Sequence, residues 1–394
     1  MRGTPAPTTP GLFLQFVRKY WAGILVVFIT LFGLALRLYQ LDYQCLNVDE
    51  FTSYNIANHT ASYIVNYAWN MGDTIGGVQL GGDYNPPTYY LLVHYSMQLL
   101  DGFSRFAVRI PAVIFGTLCI PVVYFVGKEL HNKTLGLLAA TLVSFMFSFY
   151  VYSQDARPYS LVMLAFLLFT YCFIRAWRGD SSDYTAVGLA VFAALCFYSH
   201  YYSLIPVGLA FLLLLLKRPL ISCFGMLNAA VLMTPMLILF NFKQVLTRQS
   251  PLQFGVGWYG PGQYAEYMAN ELLCWSWVIL VPLFIYSVWK CGKKEPLLKV
   301  LLFIALVAVL AGIPLTHFTA IVPRYALLVA PLLLLVALYP VAEWVDNQPT
   351  RAKAITLFLS FAFLIFLLNF GSLYSWNTFN YCPYMSGTGA ELPM

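Results

Sequence analysis

The sequence predicts an all-α polytopic membrane protein of about eleven transmembrane helices, with further helices lying on the membrane in its first long outer connection. Three observations predict it. Of 394 residues, 60% are hydrophobic, only 10% are charged, and the mean hydropathy is +0.72. Ordinary soluble domains carry about 25% charged residues, so this chain lacks the charge to cover itself in water. Long apolar runs recur from end to end, and a bilayer must solvate what water cannot. Lys and Arg gather in alternate connections, the bias that orients a multi-spanning chain. A soluble enzyme, a secreted disulfide scaffold and a disordered regulator are thereby excluded. The net charge of +6 is modest, and no Lys/Arg run fits nucleic acid. The eight cysteines are scattered, mostly inside apolar runs and without a Cys-x-x-Cys pair. They read as small core hydrophobes rather than metal ligands or a disulfide framework.

A crossing helix needs roughly 20 apolar residues. On that basis the spans fall at about 21–39, 107–127, 135–152, 159–176, 184–199, 201–216, 220–240, 272–289, 298–316, 325–342 and 353–370. Residues 1–20 form a tail ending near Arg18-Lys19, and no small-residue cleavage site follows the first span. That span reads as a retained anchor. With the N-terminus in the cytoplasm, fifteen of the 22 Lys and Arg residues fall inside and seven outside. Fusing 184–199 with 201–216 would flip every later connection and destroy this bias. The charges therefore favour a tight hairpin at Ser199-His200-Tyr201. Two outer segments are long, 40–106 and 241–271, and the tail 371–394 also lies outside. Cytoplasmic connections are too short to fold into a catalytic domain. The chain 1–394 reads as one domain of the plasma membrane whose chemistry sits at the extracytoplasmic face.

Four constellations lie on that face. Asn47-Val48-Asp49-Glu50 opens the first outer segment, followed by Phe51, Tyr54, Ile64 and Tyr67 in an amphipathic pattern. Helix capping accounts for acids in a first turn. Two adjacent carboxylates beside apolar surface also suit a general base. Asp83 to Tyr90 carries Pro86-Pro87, and 88–100 reads as a second interfacial helix. Tyr152 to Tyr159 forms a whole outer connection containing Asp155 and Arg157. A local ion pair is one reading; a phosphate held by a permanently charged planar fork is the other. His317 to Tyr325 ends in Pro323-Arg324-Tyr325. There Arg324 either snorkels to headgroups or binds an anion. His200 in the outer hairpin reads as a hydrogen-bonded loop histidine or a site residue. Mid-span charges, each costing roughly 2.5–3.5 kcal/mol, are absent from the expected spans. The charges therefore suit an interfacial site for an anionic lipid headgroup better than an ion pathway.

Together, Asp49-Glu50, Asn85-Pro86-Pro87-x-Tyr89-Tyr90-Leu91-Leu92, Phe106-x-x-Arg109-x-Pro111 and Ser153-Gln154-Asp155-Ala156-Arg157-x-Tyr159 resemble a known group. They resemble the integral-membrane glycosyltransferases of the GT-C fold. Nearest are the glycosyltransferase family 39 type, relatives of the protein O-mannosyltransferases and aminoarabinose transferases. The resemblance is clearest over residues 20–220, with Arg324-Tyr325 matching a later feature. It implies a helix bundle with interfacial helices in the first outer loop and a sugar donor on a polyprenyl phosphate. Asp49 would be the base, supported by Glu50. Asp155 would shape the site, and Arg157, Arg324 and Tyr325 would contact the donor phosphate. Asn85 stands where the family often has His, and Asp155 where it often has Glu. A soluble C-terminal domain of larger relatives is not expected here.

The implied reaction is an inverting transfer to an acceptor hydroxyl on a glycan, lipid or protein. No cofactor is demanded, and a divalent metal near Asp155 or His200 stays open. Membrane lipids are the other partners, and nucleic acid is not one. The competing reading is a transporter or lipid flippase, which would show broken helices and midplane polar groups. Cys45 and Cys382 both fall outside and are free to pair.

Overall fold

The computed structural model describes residues 9–67, 74–75, 78–79, 85–100, 102–239, 262, 266, 276–290, 293–315 and 323–379. Nearly all of them are helical. The elements are α1 (Thr9–Leu38), α2 (Val48–Ala57), α3 (Ala61–Tyr67), a two-residue strand pair β1 (Thr74–Ile75) and β2 (Val78–Gln79), and α4 (Thr88–Leu99). Then follow α5 (Arg105–Leu130), α6 (Lys133–Phe145), α7 (Phe147–Gln154), α8 (Tyr159–Arg178), α9 (Asp183–Ser199), α10 (Leu204–Lys217) and α11 (Pro219–Leu239). The last are α12 (Trp277–Lys290), α13 (Pro296–Leu315), α14 (Ala330–Asp346) and α15 (Arg351–Phe379), with short 3-10 turns at Tyr201–Ser203 and Pro323–Val329.

Five helices among the described residues are long and apolar enough to cross a membrane: Lys19–Leu38, Arg105–Leu130, Tyr159–Arg178, Arg324–Asp346 and Arg351–Tyr374. The bent pair α6–α7 makes a sixth if it is one span. The other five expected spans coincide with apolar helices of 14 to 21 residues, α9 to α13. Length and composition together therefore identify a multi-pass membrane protein, with five or six candidate crossings among the described residues. The last helix runs on to Phe379, past the expected end at 370. Most of the segment 241–271, together with Asp83, His317 and Cys382, lies outside the described residues.

The bundle is built around α5, α8 and α14. α5 packs on α6 and α8, α8 on α9, and α14 on α6 and α12. α8 and α14 are mostly enclosed, whereas α1 and α15 lie at the periphery. Phe28, Leu31 and Phe32 of α1 and Ile355, Leu359 and Phe363 of α15 are exposed. Only lipid accommodates so much bare apolar surface. Close helix contact depends on small residues. A Cβ on Gly136 would come within 2.4 Å of the Tyr124 carbonyl, so α5 and α6 touch backbone to backbone there.

The break between α6 and α7 bends the chain by 55°. Such a break frees backbone groups that lipid cannot satisfy. Arg37, fully buried at the end of α1, donates to the Val143 and Ser144 carbonyls, both at 2.9 Å. Asn369 of α15 accepts from the Phe147 N–H at 3.0 Å. The bend is thus closed by protein on both sides.

The first outer segment differs from expectation in one respect. The interfacial helix expected across 47–67 is two helices, interrupted at Asn58-His59-Thr60. Asn58 closes α2, and the Thr60 hydroxyl accepts from the Tyr63 N–H at 3.3 Å to start α3. The break lets Ile56 and Ile64 bury against Tyr90 of α4. His94 of α4 contacts the Ala57 carbonyl at 2.8 Å, and the Ser96 hydroxyl donates to the Ala107 carbonyl at 2.7 Å. α2 and α4 are thereby fixed to the head of α5. Cys45, in the same segment and left open to pairing by the sequence, is disulfide-bonded, unlike the scattered cysteines read as core hydrophobes. Cys119, Cys172 and Cys196 are free and buried as expected, whereas Cys223 is free and exposed.

Candidate active site

The seven charged and aromatic residues singled out from the sequence meet at one end of the bundle. Asp49 and Glu50 sit in the first turn of α2, where Asn47 starts the helix through a capping box. The Glu50 N–H donates to the Asn47 side chain at 2.9 Å, and the Asn47 N–H donates to the Glu50 carboxylate at 3.0 Å. The capping reading is therefore correct for Glu50. It leaves Asp49, the neighbouring acid, turned towards the rest of the site.

Glu50 is also the hub that joins three segments. Its carboxylate is 2% exposed and is gripped by Arg109 of α5, with Nε at 2.7 Å and Nη2 at 2.8 Å. It also accepts the Ala156 N–H at 3.0 Å, from the α7–α8 connection. The remaining Arg109 donors reach the carbonyls of Leu41, Gln44 and Cys45 at 2.7, 3.0 and 2.9 Å. Glu50 is consumed in holding the site together, and Arg109, quoted from the sequence only as part of a motif, is the residue to which no role was given there. A signal existed: Arg109 stands in the second turn of an apolar helix, where a charge taken out of water needs a counter-charge.

Asp49 and Arg324 form an ion pair between side chains 37% and 30% exposed. Arg157 donates to the Asp49 carbonyl and to the Ser53 hydroxyl, both at 3.3 Å. Asn47 donates to Asp155 at 3.3 Å. Burial pushes the Asp155 carboxyl up to about 7, and the nearby Glu50 charge adds to the rise. Arg157, Arg324 and the Asn47 hydrogen bond pull against it.

Aromatic rings line the other side. The Arg324 guanidinium lies 5.7 Å from the Tyr159 ring centre. The ring of Tyr325 is 4.5 Å from that of His200 and 6.4 Å from that of Tyr159. His200, buried in the expected hairpin, accepts the Tyr202 N–H through Nδ1 at 3.2 Å. It helps fix the backbone turn as well as the aromatic wall. Tyr89 of α4 is fully buried beside Asp155 and Glu50, and that burial raises its phenol well above the usual range.

Among the described residues, no group of three or more His, Cys, Asp or Glu side chains is placed to hold a metal ion. Glu50 is committed to Arg109 and Asp49 to Arg324. The described side chains therefore do not assemble a ligand set around Asp155.

Residues 84–240 match the sequence profile of the family described as dolichyl-phosphate-mannose-protein mannosyltransferase. No curated protein matches the chain. Among solved structures, the fold is similar to ArnT from Cupriavidus metallidurans bound to undecaprenyl phosphate. The TM-score is 0.59 at 15% identity, covering 86% of this chain and 63% of that one. It is also similar to the archaeal oligosaccharyltransferase AglB from Archaeoglobus fulgidus in complex with an inhibitory peptide and a dolichol-phosphate. There the TM-score is 0.56 at 12% identity, covering 91% of this chain and 56% of that one. This chain thus spans about three fifths of the length of the structures it matches. Both are glycosyltransferases of the GT-C type, so the helical framework read from the motifs is that of this fold.

Proposed function

We propose that the protein transfers a sugar from a polyprenyl-phosphate donor to an acceptor hydroxyl on a glycan, lipid or protein. One observation carries the reading. On a GT-C framework, a partly exposed carboxylate from the first outer segment, Asp49, meets an arginine 275 residues later, Arg324. Arg157, from a third segment, stands behind them. A base and two cations at one point are what this displacement needs.

The acceptor oxygen attacks the anomeric carbon while Asp49 takes its proton. The bond from that carbon to the phosphate oxygen breaks, and its electron pair leaves with the polyprenyl phosphate. Arg324 and Arg157 stabilise the charge that develops on the phosphate. A single displacement inverts the anomeric centre. Glu50 and Asp155 shape the site, Glu50 through Arg109 and the Ala156 N–H, Asp155 through Asn47. Tyr325 and His200 form the wall against which the donor is held. The same reading takes all eleven apolar helices as crossings and puts the N-terminus in the cytoplasm, so the site faces away from it. The α6–α7 break, which a transporter would use to bind its substrate, has its carbonyls taken by Arg37.

The test is incubation of the purified chain with a labelled polyprenyl-phosphate sugar and candidate acceptors. Acceptor-dependent release of polyprenyl phosphate is expected from the wild type and not from Asp49→Asn. Turnover of that variant at the wild-type rate removes the assignment.

A further inference from the structure

Where Arg324 meets Tyr159, two donors are buried and, among the described residues, have no hydrogen-bond partner: the Tyr159 hydroxyl and Nε of Arg324; the Tyr89 hydroxyl, beside Asp155 and Glu50, is a third. Buried tyrosines nearly always find a partner for their hydroxyl, because an unpaired one loses its hydration without compensation. Tyr159 is 1% exposed and sits at the first turn of α8, directly after the Asp155–Arg157 connection. Packing needs its ring, which meets Tyr152 at 5.3 Å and Tyr325 at 6.4 Å. Packing does not need its hydroxyl.

The position of Arg324 explains why the first two donors are unfilled. Its guanidinium covers the Tyr159 ring and at the same time pairs with Asp49. Arginine thus holds one oxygen of the carboxylate that must receive a proton. The pair is reachable from outside, being about one third exposed on each partner. A phosphodiester presents two unesterified anionic oxygens and competes with a single carboxylate for that fork.

Building on the transferase reading, we propose that Tyr159 is a ligand-binding residue: its hydroxyl and Nε of Arg324 receive the phosphate of the lipid-linked donor as Arg324 leaves Asp49. The donor then frees its own base. Before donor binding, Asp49 is held by Arg324 and is not offered to an acceptor. After binding, the phosphate takes the arginine and fills the tyrosine donor, and Asp49 faces the acceptor unblocked.

The experiment measures binding of a polyprenyl monophosphate to the full chain in detergent, for the wild type, Tyr159→Phe and Asp49→Asn, alongside thermal unfolding without ligand. Phosphatidic acid is the competitor that separates a donor site from a general headgroup site. Tyr159→Phe removes a hydroxyl that has no hydrogen-bond partner among the described residues, so its melting temperature should equal or exceed the wild type's. Its affinity for the polyprenyl monophosphate should fall by roughly tenfold, as for a lost hydrogen bond to a charged group. Asp49→Asn, which removes the competing carboxylate, should bind at least as tightly as the wild type. Wild-type-like affinity in Tyr159→Phe overturns the assignment while leaving the transferase reading intact, as does weaker binding by Asp49→Asn. Equal displacement by phosphatidic acid overturns it as a donor site. A wild type without affinity for the polyprenyl monophosphate ends both readings.

Discussion

Glu50 and Arg109 form a buried ion pair at 2.7 Å that ties the start of α2 to the second turn of α5. Because the same carboxylate accepts the Ala156 N–H, the pair also fixes the connection carrying Asp155 and Arg157. The acid next to the proposed base is therefore architectural. Its neighbour Asp49 is left to pair with Arg324 because Glu50 takes the structural work.

Removing one partner of such a pair leaves the other charged and dry, at a cost of about 3–5 kcal/mol. Arg109→Met should therefore lower the melting temperature sharply. The double variant Glu50→Gln/Arg109→Met should recover a large part of the loss. Lysine at 109 should rescue poorly, since it lacks the planar fork that serves Glu50 and three carbonyls together. Additive losses in the double variant would contradict a coupled pair.

The Asp49–Arg324 pair behaves differently because both partners are partly solvated. Such pairs contribute at most about 1 kcal/mol to stability. Arg324→Ala should leave the melting temperature nearly unchanged while cutting kcat/KM for the lipid-linked donor by about 100-fold or more. Parallel losses of stability and activity would mean that Arg324 is structural.

Asp155 sets a dependence on pH. Its carboxyl is raised in the fold from 3.8 to about 7, so between these values the folded chain holds a proton that the unfolded chain has released. Stability should therefore fall as pH rises through that window. In Asp155→Asn this component disappears, so the variant gains on the wild type at pH 8 relative to pH 4. Melting curves of the two proteins across that range check the sign; parallel profiles would refute it.

Glycine at 136 is required by contact rather than by backbone angle. Gly136→Ala would press a methyl onto the Tyr124 carbonyl at 2.4 Å, and backbone cannot step aside. Overpacking of this kind costs about 1–3 kcal/mol. Gly23 of α1 has nothing within 4 Å of the same added atom, so Gly23→Ala should be neutral or mildly stabilising. Thermal unfolding of the two variants makes the comparison, and equal effects would refute the close contact.

Much of this protein was determined by composition and order alone. Scarce charge and long apolar runs dictate a membrane bundle, because backbone in lipid must satisfy itself. Asn47 and Glu50, three residues apart before an apolar face, announce a capping box. The motifs around Asp49, Asn85-Pro86-Pro87 and Asp155–Arg157 point to the GT-C framework that the solved structures share. Apolar runs fix where helices lie but not how many cross. Several helices fall short of a membrane's thickness, and the 55° bend needs Arg37 and Asn369 from elsewhere to close it. What each charge does was likewise left to tertiary structure. Asp49 and Glu50 are adjacent in sequence, yet one is sealed against Arg109 and the other faces Arg324. That division follows from partners 59 and 275 residues away. Local sequence places an acid on a helix turn; only the packing of distant segments decides which counter-charge reaches it and how much water remains.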